Sequence, residues 1–256
     1  MLAVLSPAKS LDYETRLPTR KHSEPRLLAH STGLIEIMRG KSPADIASLM
    51  HISDDLAALN VNRYAEFEPA HDRKNSRPAM FAFNGDVYRG LDPHALDARD
   101  ITEAQKTLRI LSGLYGVLRP LDLIQPHRLE MGTRLETPRG SSLYDFWGSH
   151  ITDCLKRDLD ASPGANVLVN LASAEYFGSV DTKRLGIRVI TPRFEDRAPS
   201  GEPRVVSFHA KRARGLMGRW CVVNRVRSAS KLLDFTAEGY QLDEARSTRE
   251  QPIFVR

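Results

Sequence analysis

The pattern of apolar and polar positions predicts short buried strands that alternate with amphipathic helices. Residues 2–5 are all apolar and end at Ser6-Pro7, as expected for a first strand that is buried on both faces. Other runs that are bounded by turn residues predict strands at 79–83, 166–173, 186–194 and 204–210. The last two runs are expected to pair as antiparallel strands across the loop between them.

Helices are predicted where a capping residue precedes apolar positions at helical spacing. Such starts occur at Ser23, Ser42, Ser53, Asp100 and Ser142. The helix after Asp100 carries apolar residues as far as Leu111, so Gly113 is expected to end it as a left-handed C-cap. The helix after Ser142 is expected to run to residue 159, and a long helix is predicted over residues 210–227.

These elements indicate a mixed α/β fold in a single domain spanning residues 1–256, with a mixed β-sheet core surrounded by helices. Hydrophobic residues make up 41% of the 256 residues, which is enough for a sizeable core. No apolar run approaches the ~20 residues that a membrane span needs. The first residues lack the basic region and cleavage site of a signal peptide. A cytoplasmic protein without membrane contact is therefore expected.

Positive charge is concentrated in one part of the chain. The net charge is +5, a small excess for this length. Residues 204–227 contain seven Lys or Arg and no acidic residue. Such a cluster predicts one basic surface that binds an anionic partner, although a solvated helix face would give the same pattern.

No metal or cofactor is predicted from the motifs. The eight histidines show no H-x-H or H-E-x-x-H spacing, and the two cysteines form no C-x-x-C pair. Walker and G-x-G-x-x-G loops are absent as well. Only Glu68 and His71 have the Glu-x-x-His spacing of ferritin-like iron sites, so no tightly bound iron is expected.

Polar residues near predicted strand ends indicate a cleft. Ser6 and Lys9 match the S-x-x-K pattern of some serine hydrolases, but S-D-N and K-T-G are missing, and Lys9 would equally suit a phosphate. Arg128, Glu130 and Arg134 would share one face of a strand, either in the cleft or as pairs on a solvated sheet face. The candidate cleft residues are Ser6, Lys9, Asn84, Asp86, Tyr88, Arg119, Arg128, Glu130, Arg134, Ser173, Glu175, Lys211 and Arg214.

Seven ordered motifs resemble the YaaA family, whose best-known members are bacterial peroxide-stress resistance proteins. They are SPAK, FNGDVYRGL, LSGLYGVLRPLD, HRLEMGTRL, LYDFWG, NLASAEYF and SFHAKRARGLM. The resemblance implies a mixed α/β domain with a positively charged cleft, a helix-hairpin-helix-like element and DNA binding. It also implies a role in limiting damage from hydrogen peroxide by restraining free intracellular iron. The resemblance does not imply a particular catalytic reaction.

Gly113 and Gly116 are the candidates for the hairpin of that element. The segment between them is one residue longer than the usual hairpin, and Pro120 discourages an immediate second helix. Two interpretations stay open. Residues 111–119 are the hairpin, or Gly113 caps a helix while Gly116 allows close approach and Arg119 supplies charge.

Three functional hypotheses follow from the sequence. The first is binding of duplex DNA with little sequence preference, in which Lys211 and Arg214 share the cleft face of a helix and Arg212 does not. The second is an enzyme that acts on a nucleotide or a damaged base in the same cleft, where a small nucleotide ligand would bind. The third is a structural or interaction protein.

Overall fold

The apolar run at residues 2–5 is the middle strand of the central sheet in the computed structural model. The structure describes residues 1–199 and 201–256. Their strands are β1 (Leu2–Leu5), β2 (Arg77–Pro78), β3 (Leu108–Ser112), β4 (Gly116–Leu118), β5 (Leu123–Ile124), β6 (Val167–Leu171), β7 (Arg188–Ile190), β8 (Arg193–Arg197), β9 (Pro203–Arg204), β10 (Gln241–Leu242) and β11 (Ile253–Val255).

The central sheet has the strand order β4-β3-β1-β6-β7. β1 is parallel to both β3 and β6, so Leu5 lies between Ile110 on one side and Leu171 on the other. β7 is parallel to β6, whereas β4 returns antiparallel to β3. Because β1 has a strand on each side and helices over its faces, all four of its residues are buried, as the continuous apolar run requires.

A smaller sheet gathers the carboxyl-terminal strands in the order β10-β11-β8-β9. β11 runs parallel to β8, and the other two pairs are antiparallel. Phe194 of β8 and Phe254 of β11 are buried at its centre and stack with ring centroids 5.7 Å apart. β2 and β5 form a separate antiparallel pair.

Helices surround the two sheets. They are α1 (Leu28–Arg39), α2 (Pro43–Met50), α3 (Asp54–Glu66), α4 (Ala79–Ala82), α5 (Asp86–Leu91), α6 (Ala98–Thr107), α7 (Leu143–Trp147), α8 (His150–Ala161), α9 (Ala174–Phe177), α10 (Thr182–Leu185) and α11 (Ser207–Val223). The mixed α/β class predicted from the sequence is confirmed. No helix in the described ranges has the length and apolar character needed to cross a membrane.

Several predicted boundaries are wrong, and short buried segments account for two of them. Residues 79–82 form one turn of helix rather than a strand, and all four are buried, so no periodicity distinguishes the two states. The helix after Asp97 ends at Thr107, and residues 108–112 are a strand because they pair with β1. Pairing with a buried neighbour therefore overrides the helical spacing of the apolar residues in this segment.

Two predicted helix starts and one predicted helix end are also corrected. Ser23 caps no helix; its hydroxyl donates to Asp122 at 2.7 Å, and α1 begins at Leu28. Asp97 rather than Asp100 caps α6, accepting hydrogen bonds from two backbone N–H groups. Ser142 is a cap as predicted, but Gly148, at φ +46°, ends α7 and separates it from α8. Ser42 forms the predicted cap of α2.

The predicted strand pair near the carboxyl-terminal third is half correct. β8 and β9 are antiparallel, with Asp196 opposite Arg204, but β7 belongs to the central sheet. The residues from Ser207 onward are already helical, so α11 begins three residues earlier than predicted. The predicted boundary at residue 210 would put Lys211 at the junction of a strand and a helix, but Lys211 lies in the second turn of α11.

Residues 111–119 form a β-hairpin, so the helix-hairpin-helix interpretation of this segment is wrong. Gly113 ends no helix, and a Cβ on it would lie 2.2 Å from the carbonyl oxygen of Leu129. Gly116 has φ +68° and follows a three-residue turn, a conformation that favours glycine. Both glycines therefore allow close approach, Gly113 to residues 129–130 and Gly116 to the buried ring of Trp147.

Candidate functional site

A cleft of about 410 Å³ opens where β1 and β6 end. The chain runs from β1 to β3 on one side of the sheet and later returns to form β6 on the other side. In open α/β sheets, ligands bind at the carboxyl ends of the strands where the connections change from one side of the sheet to the other. We call this space the cleft; it is lined by residues 6–10, residues 84–87, Ser173, Glu175, Tyr176, Lys211 and Arg214.

Two serines join the strand ends at the floor of the cleft. The backbone N–H of Ser173 donates to the Ser6 hydroxyl oxygen at 2.9 Å. The buried Tyr88 hydroxyl donates to the carbonyl oxygen of Ser6 at 3.2 Å, so Tyr88 supports the floor from behind. Lys9 does not contact Ser6; its ammonium lies 3.1 Å from Glu130 Oε2. The S-x-x-K pair is therefore not arranged as a nucleophile and its base.

Two carboxylates lie on one side of the cleft, Glu175 in its lining and Glu130 in an adjoining pocket. Glu130 binds Lys9 and also accepts a hydrogen bond from Arg128 Nε at 3.0 Å. Glu175 Oε1 accepts a hydrogen bond from the backbone N–H of Gly132 at 3.0 Å. Arg128 and Glu130 line a small adjoining pocket that shares residues 7–9 and Tyr176 with the cleft. These two carboxylates can bind cations, but they repel phosphate unless the positive charges of Lys9 and Arg128 outweigh them.

The segment that contributes Glu130 is not a strand. Residues 127–135 alternate between buried and more exposed positions, as predicted, but they make no ladder with a neighbouring strand. Arg128 and Glu130 pair with each other, whereas Arg134 is exposed and lies outside the lining of the cleft. The segment packs closely against Gly113, and the Tyr64 hydroxyl donates a hydrogen bond to the carbonyl of Arg128.

The opposite wall carries two cations without counter-ions. Lys211 and Arg214 are three residues apart on α11 and both line the cleft. Neither has an ion pair with a carboxylate among the described residues. Arg214 is half-buried, and the loss of hydration lowers the pKa of its guanidinium. A half-buried cation that lacks a partner in the protein is suited to bind an anion from solution.

Most of the other basic residues in 204–227 are neutralised by acids from distant parts of the chain. Four of the seven have a carboxylate partner, namely Arg212 with Glu238, Arg219 with Asp92, Arg225 with Asp100 and Arg227 with Glu103. The segment is therefore not one continuous basic face. The basic residues of this segment that have no carboxylate partner among the described residues are Lys211 and Arg214 in the cleft and Arg204 on β9.

Two glycines that the sequence analysis did not single out position this wall. A Cβ on Gly90 of α5 would lie 2.1 Å from the carbonyl oxygen of Arg212, and one on Gly215 would lie 1.8 Å from that of Val87. The missing side chains let α5 and α11 approach closely, so that Lys211 and Arg214 face residues 84–87. Gly215 and Gly218 lie three residues apart within a predicted helix, and this spacing could have indicated a close contact with another helix.

The remaining candidates lie at the edge of the cleft or away from it. Asn84 is exposed, its backbone N–H binds the Ser10 carbonyl, and Asp86 lies 3.5 Å from Arg89. Arg119 lies elsewhere, bound to the buried Asp122 at 2.9 Å. Across residues 1–199 and 201–256, no group of three or more His, Cys, Asp or Glu side chains could hold a metal ion.

The whole chain is similar to proteins of one family. A family model described as peroxide stress protein YaaA matches residues 1–246. The chain is 57% identical over 256 residues to a UPF0246 protein of Tolumonas auensis, covering 100% of this chain and 98% of the relative. It is 53% identical to one of Idiomarina loihiensis and 52% identical to one of Burkholderia mallei, with the same coverage.

Proposed function

The chain belongs to the family of peroxide stress protein YaaA, and from this premise we propose that it binds DNA phosphates in the cleft to limit peroxide damage. The observation that carries the proposal is the half-buried Arg214, which lies beside Lys211 and lacks a counter-ion among the described residues. Arginine and lysine are the side chains that most often bind nucleic-acid phosphates.

An exposed aromatic side chain near the two cations supports the same conclusion. Phe208 is 57% exposed and lies three residues before Lys211 on α11, so the two side chains are neighbours on the helix. An exposed aromatic ring beside unpaired cations is suited to a nucleic acid, which offers both sugar or base surface and phosphate. The sequence contains no motif of a helix that reads bases in a major groove, so we expect little sequence preference.

Salt-dependent binding of a DNA duplex tests the proposal. The affinity should fall steeply with salt, by about 0.9 in log K per unit of log[salt] for each phosphate neutralised. Lys211→Met and Arg214→Met should each weaken binding and reduce this slope by about one unit. Arg212→Met is the matched control, because Glu238 already neutralises Arg212 outside the cleft. Salt-independent binding, or equal losses for all three variants, would contradict the proposal.

A second candidate is an enzyme that acts on a nucleotide or a damaged base in the cleft. It is favoured by Glu130, which Lys9 and Arg128 hold at the edge of a space large enough for one nucleotide. A carboxylate in that position could act as a general base or stabilise a cationic transition state. A turnover screen of nucleotides and damaged oligonucleotides, with Glu130→Gln as the inactive control, tests it.

We infer that any effect on intracellular iron is indirect and that the protein acts in the cytoplasm. The described residues contain no cluster of ligands for an iron site. Purified protein that is stripped with a chelator and reloaded anaerobically should therefore bind less than one equivalent of iron. Stoichiometric binding would overturn the inference.

A further inference from the structure

A second cavity lies beside β7, away from the residues of the cleft. Its volume is about 440 Å³, and it opens between β7, the turn at Ser230–Asp234 and the carboxyl-terminal segment. Its apolar walls are Ile190, Leu233, Leu242 and Pro252. Leu233 is 42% exposed at this position. The volume and lining are typical of a site for a small organic molecule.

One buried polar group points to the charge of that molecule. The Nε of Arg188 is buried and has no hydrogen-bond acceptor among the described residues. The Nη2 of the same guanidinium donates to the carbonyl of Arg249 at 2.5 Å. The nearest carboxylate, Glu250 Oε1, is 3.8 Å from Nε, too far for a hydrogen bond. The Arg188 side chain as a whole is 35% exposed and lines the cavity, so the accessible part of its guanidinium can donate to a ligand acceptor. A charge that no carboxylate binds at hydrogen-bond distance favours a negatively charged ligand.

The wall formed by the carboxyl-terminal segment is held in place by its own hydrogen bonds. The Ser247 hydroxyl donates to the Asp243 carbonyl at 2.6 Å and accepts from the Ile253 backbone N–H at 2.8 Å. The Thr191 N–H donates to the Glu250 carbonyl at 2.7 Å and joins this segment to the end of β7. The cavity is therefore preformed, and a ligand would lose little affinity to ordering the protein.

We propose that this cavity binds a small organic monocarboxylate with an apolar body. The carboxylate accepts a hydrogen bond from Arg188, and the hydrocarbon packs against Leu233, Leu242 and Pro252. A single negative charge fits best, because the lining contains Glu244 as well as the cations Arg188 and Arg249, and Glu250 lies near Arg188. These two carboxylates would repel a dianion such as a phosphate monoester.

Calorimetric titration of the full chain with hexanoate tests the proposal. Saturable binding with one site is expected, and hexanamide, acetate and phenyl phosphate should each bind at least tenfold more weakly. Hexanamide keeps the apolar body without the charge, and acetate keeps the charge without the body. Absence of saturable hexanoate binding, or equal binding of hexanamide, would overturn the proposal.

Substitutions locate the binding within the cavity. Arg188→Gln should weaken hexanoate binding at least tenfold, whereas Glu250→Gln should strengthen it by removing the competing carboxylate. Arg184→Gln is the matched control, because Arg184 pairs with Asp153 away from the cavity. If Arg188→Gln does not fold, Leu233→Asp at the exposed mouth should give the same loss. Unchanged affinity in the folded variants would refute the site.

Discussion

A Cβ placed on Gly215 would lie 1.8 Å from the carbonyl oxygen of Val87, so α11 and α5 are in direct backbone contact at this point. No alanine fits there unless the helices separate. The contact holds the cationic wall of the cleft, which contains Lys211 and Arg214, against residues 84–87.

Gly215→Ala should therefore lower the free energy of unfolding by about 1–3 kcal/mol and weaken DNA binding. Gly218→Ala in the same helix is the control. A Cβ there would meet only the methyl groups of Leu5 and Leu91, at 3.6 Å or more. Urea unfolding followed by circular dichroism measures both variants, and equal stabilities would show that the helices separate readily.

Asp158 is expected to be a charged residue outside the cleft whose replacement strongly lowers stability. Its carboxylate binds Arg26 Nη1 at 2.5 Å and the buried Arg109 Nε at 2.6 Å, and these two guanidinium groups hold the pKa of Asp158 below its ordinary value. Asp158→Asn leaves Arg109 buried without a counter-ion, so stability should fall by about 3–5 kcal/mol.

The matched control for Asp158 is Asp153→Asn, which breaks an exposed pair with Arg184. Its effect on thermal unfolding should be much smaller, because solvent screens exposed pairs. A similar loss for both variants would mean that burial does not determine the strength of these pairs.

His127 should make the stability fall as the pH is lowered from about 6.5 to 4. The side chain is buried, donates from Nδ1 to the Gln125 carbonyl at 2.8 Å, and burial lowers its pKa to about 4. In this pH window the unfolded chain binds a proton that the folded chain excludes. The contribution of neutral His127 to the free energy of unfolding is therefore complete above the pKa of the unfolded chain, and it is lost as the pH falls toward the folded pKa of about 4.

The slope from one such site is at most about 1.4 kcal/mol per pH unit. Urea unfolding at several pH values should show a flatter dependence for His127→Gln than for the natural chain. Parallel curves for the two proteins would assign the effect to other groups, such as His71, whose pKa burial also lowers.

Glu130→Gln distinguishes the two proposed uses of the cleft. If the cleft only binds phosphate, this variant frees Lys9 and Arg128, so DNA binding should tighten and its salt dependence should steepen. Glu238→Gln is the control, because it frees Arg212 outside the cleft. Tighter binding with loss of a measured turnover would instead assign Glu130 to catalysis.

The sequence predicted the parts of the fold that have long or distinctive patterns. β1 is a continuous apolar run, and β6 is interrupted only by Asn170. Ser42 and Ser142 are caps whose side chains bind the first helical turn. Residues 79–82 and 108–112 were assigned wrongly because a short buried run has the same composition in a helix and in a strand. Residues 108–112 form a strand because they pair with β1, which no local pattern shows.

The cleft could be predicted in outline but not in its charge balance. Ser6, Lys9 and Ser173 follow strands, so their convergence could be inferred from an α/β pattern. The neutralisation of Arg212 by Glu238 or of Arg225 by Asp100 joins residues that no local pattern connects. The close contact of Gly90 and Gly215 likewise depends on how two helices pack.

The central place of β1 also has a consequence for how the chain is made. β1 leaves the ribosome well before its partners, since Leu5 pairs with Ile110 and with Leu171. At about 5–20 residues per second, translation takes roughly 10–30 s between Leu5 and Leu171. During that time β1 lacks at least one of its two neighbouring strands, so an apolar segment stays incompletely buried and the nascent chain offers a binding site to chaperones. Final folding must then follow synthesis of most of the chain, and truncated products should aggregate.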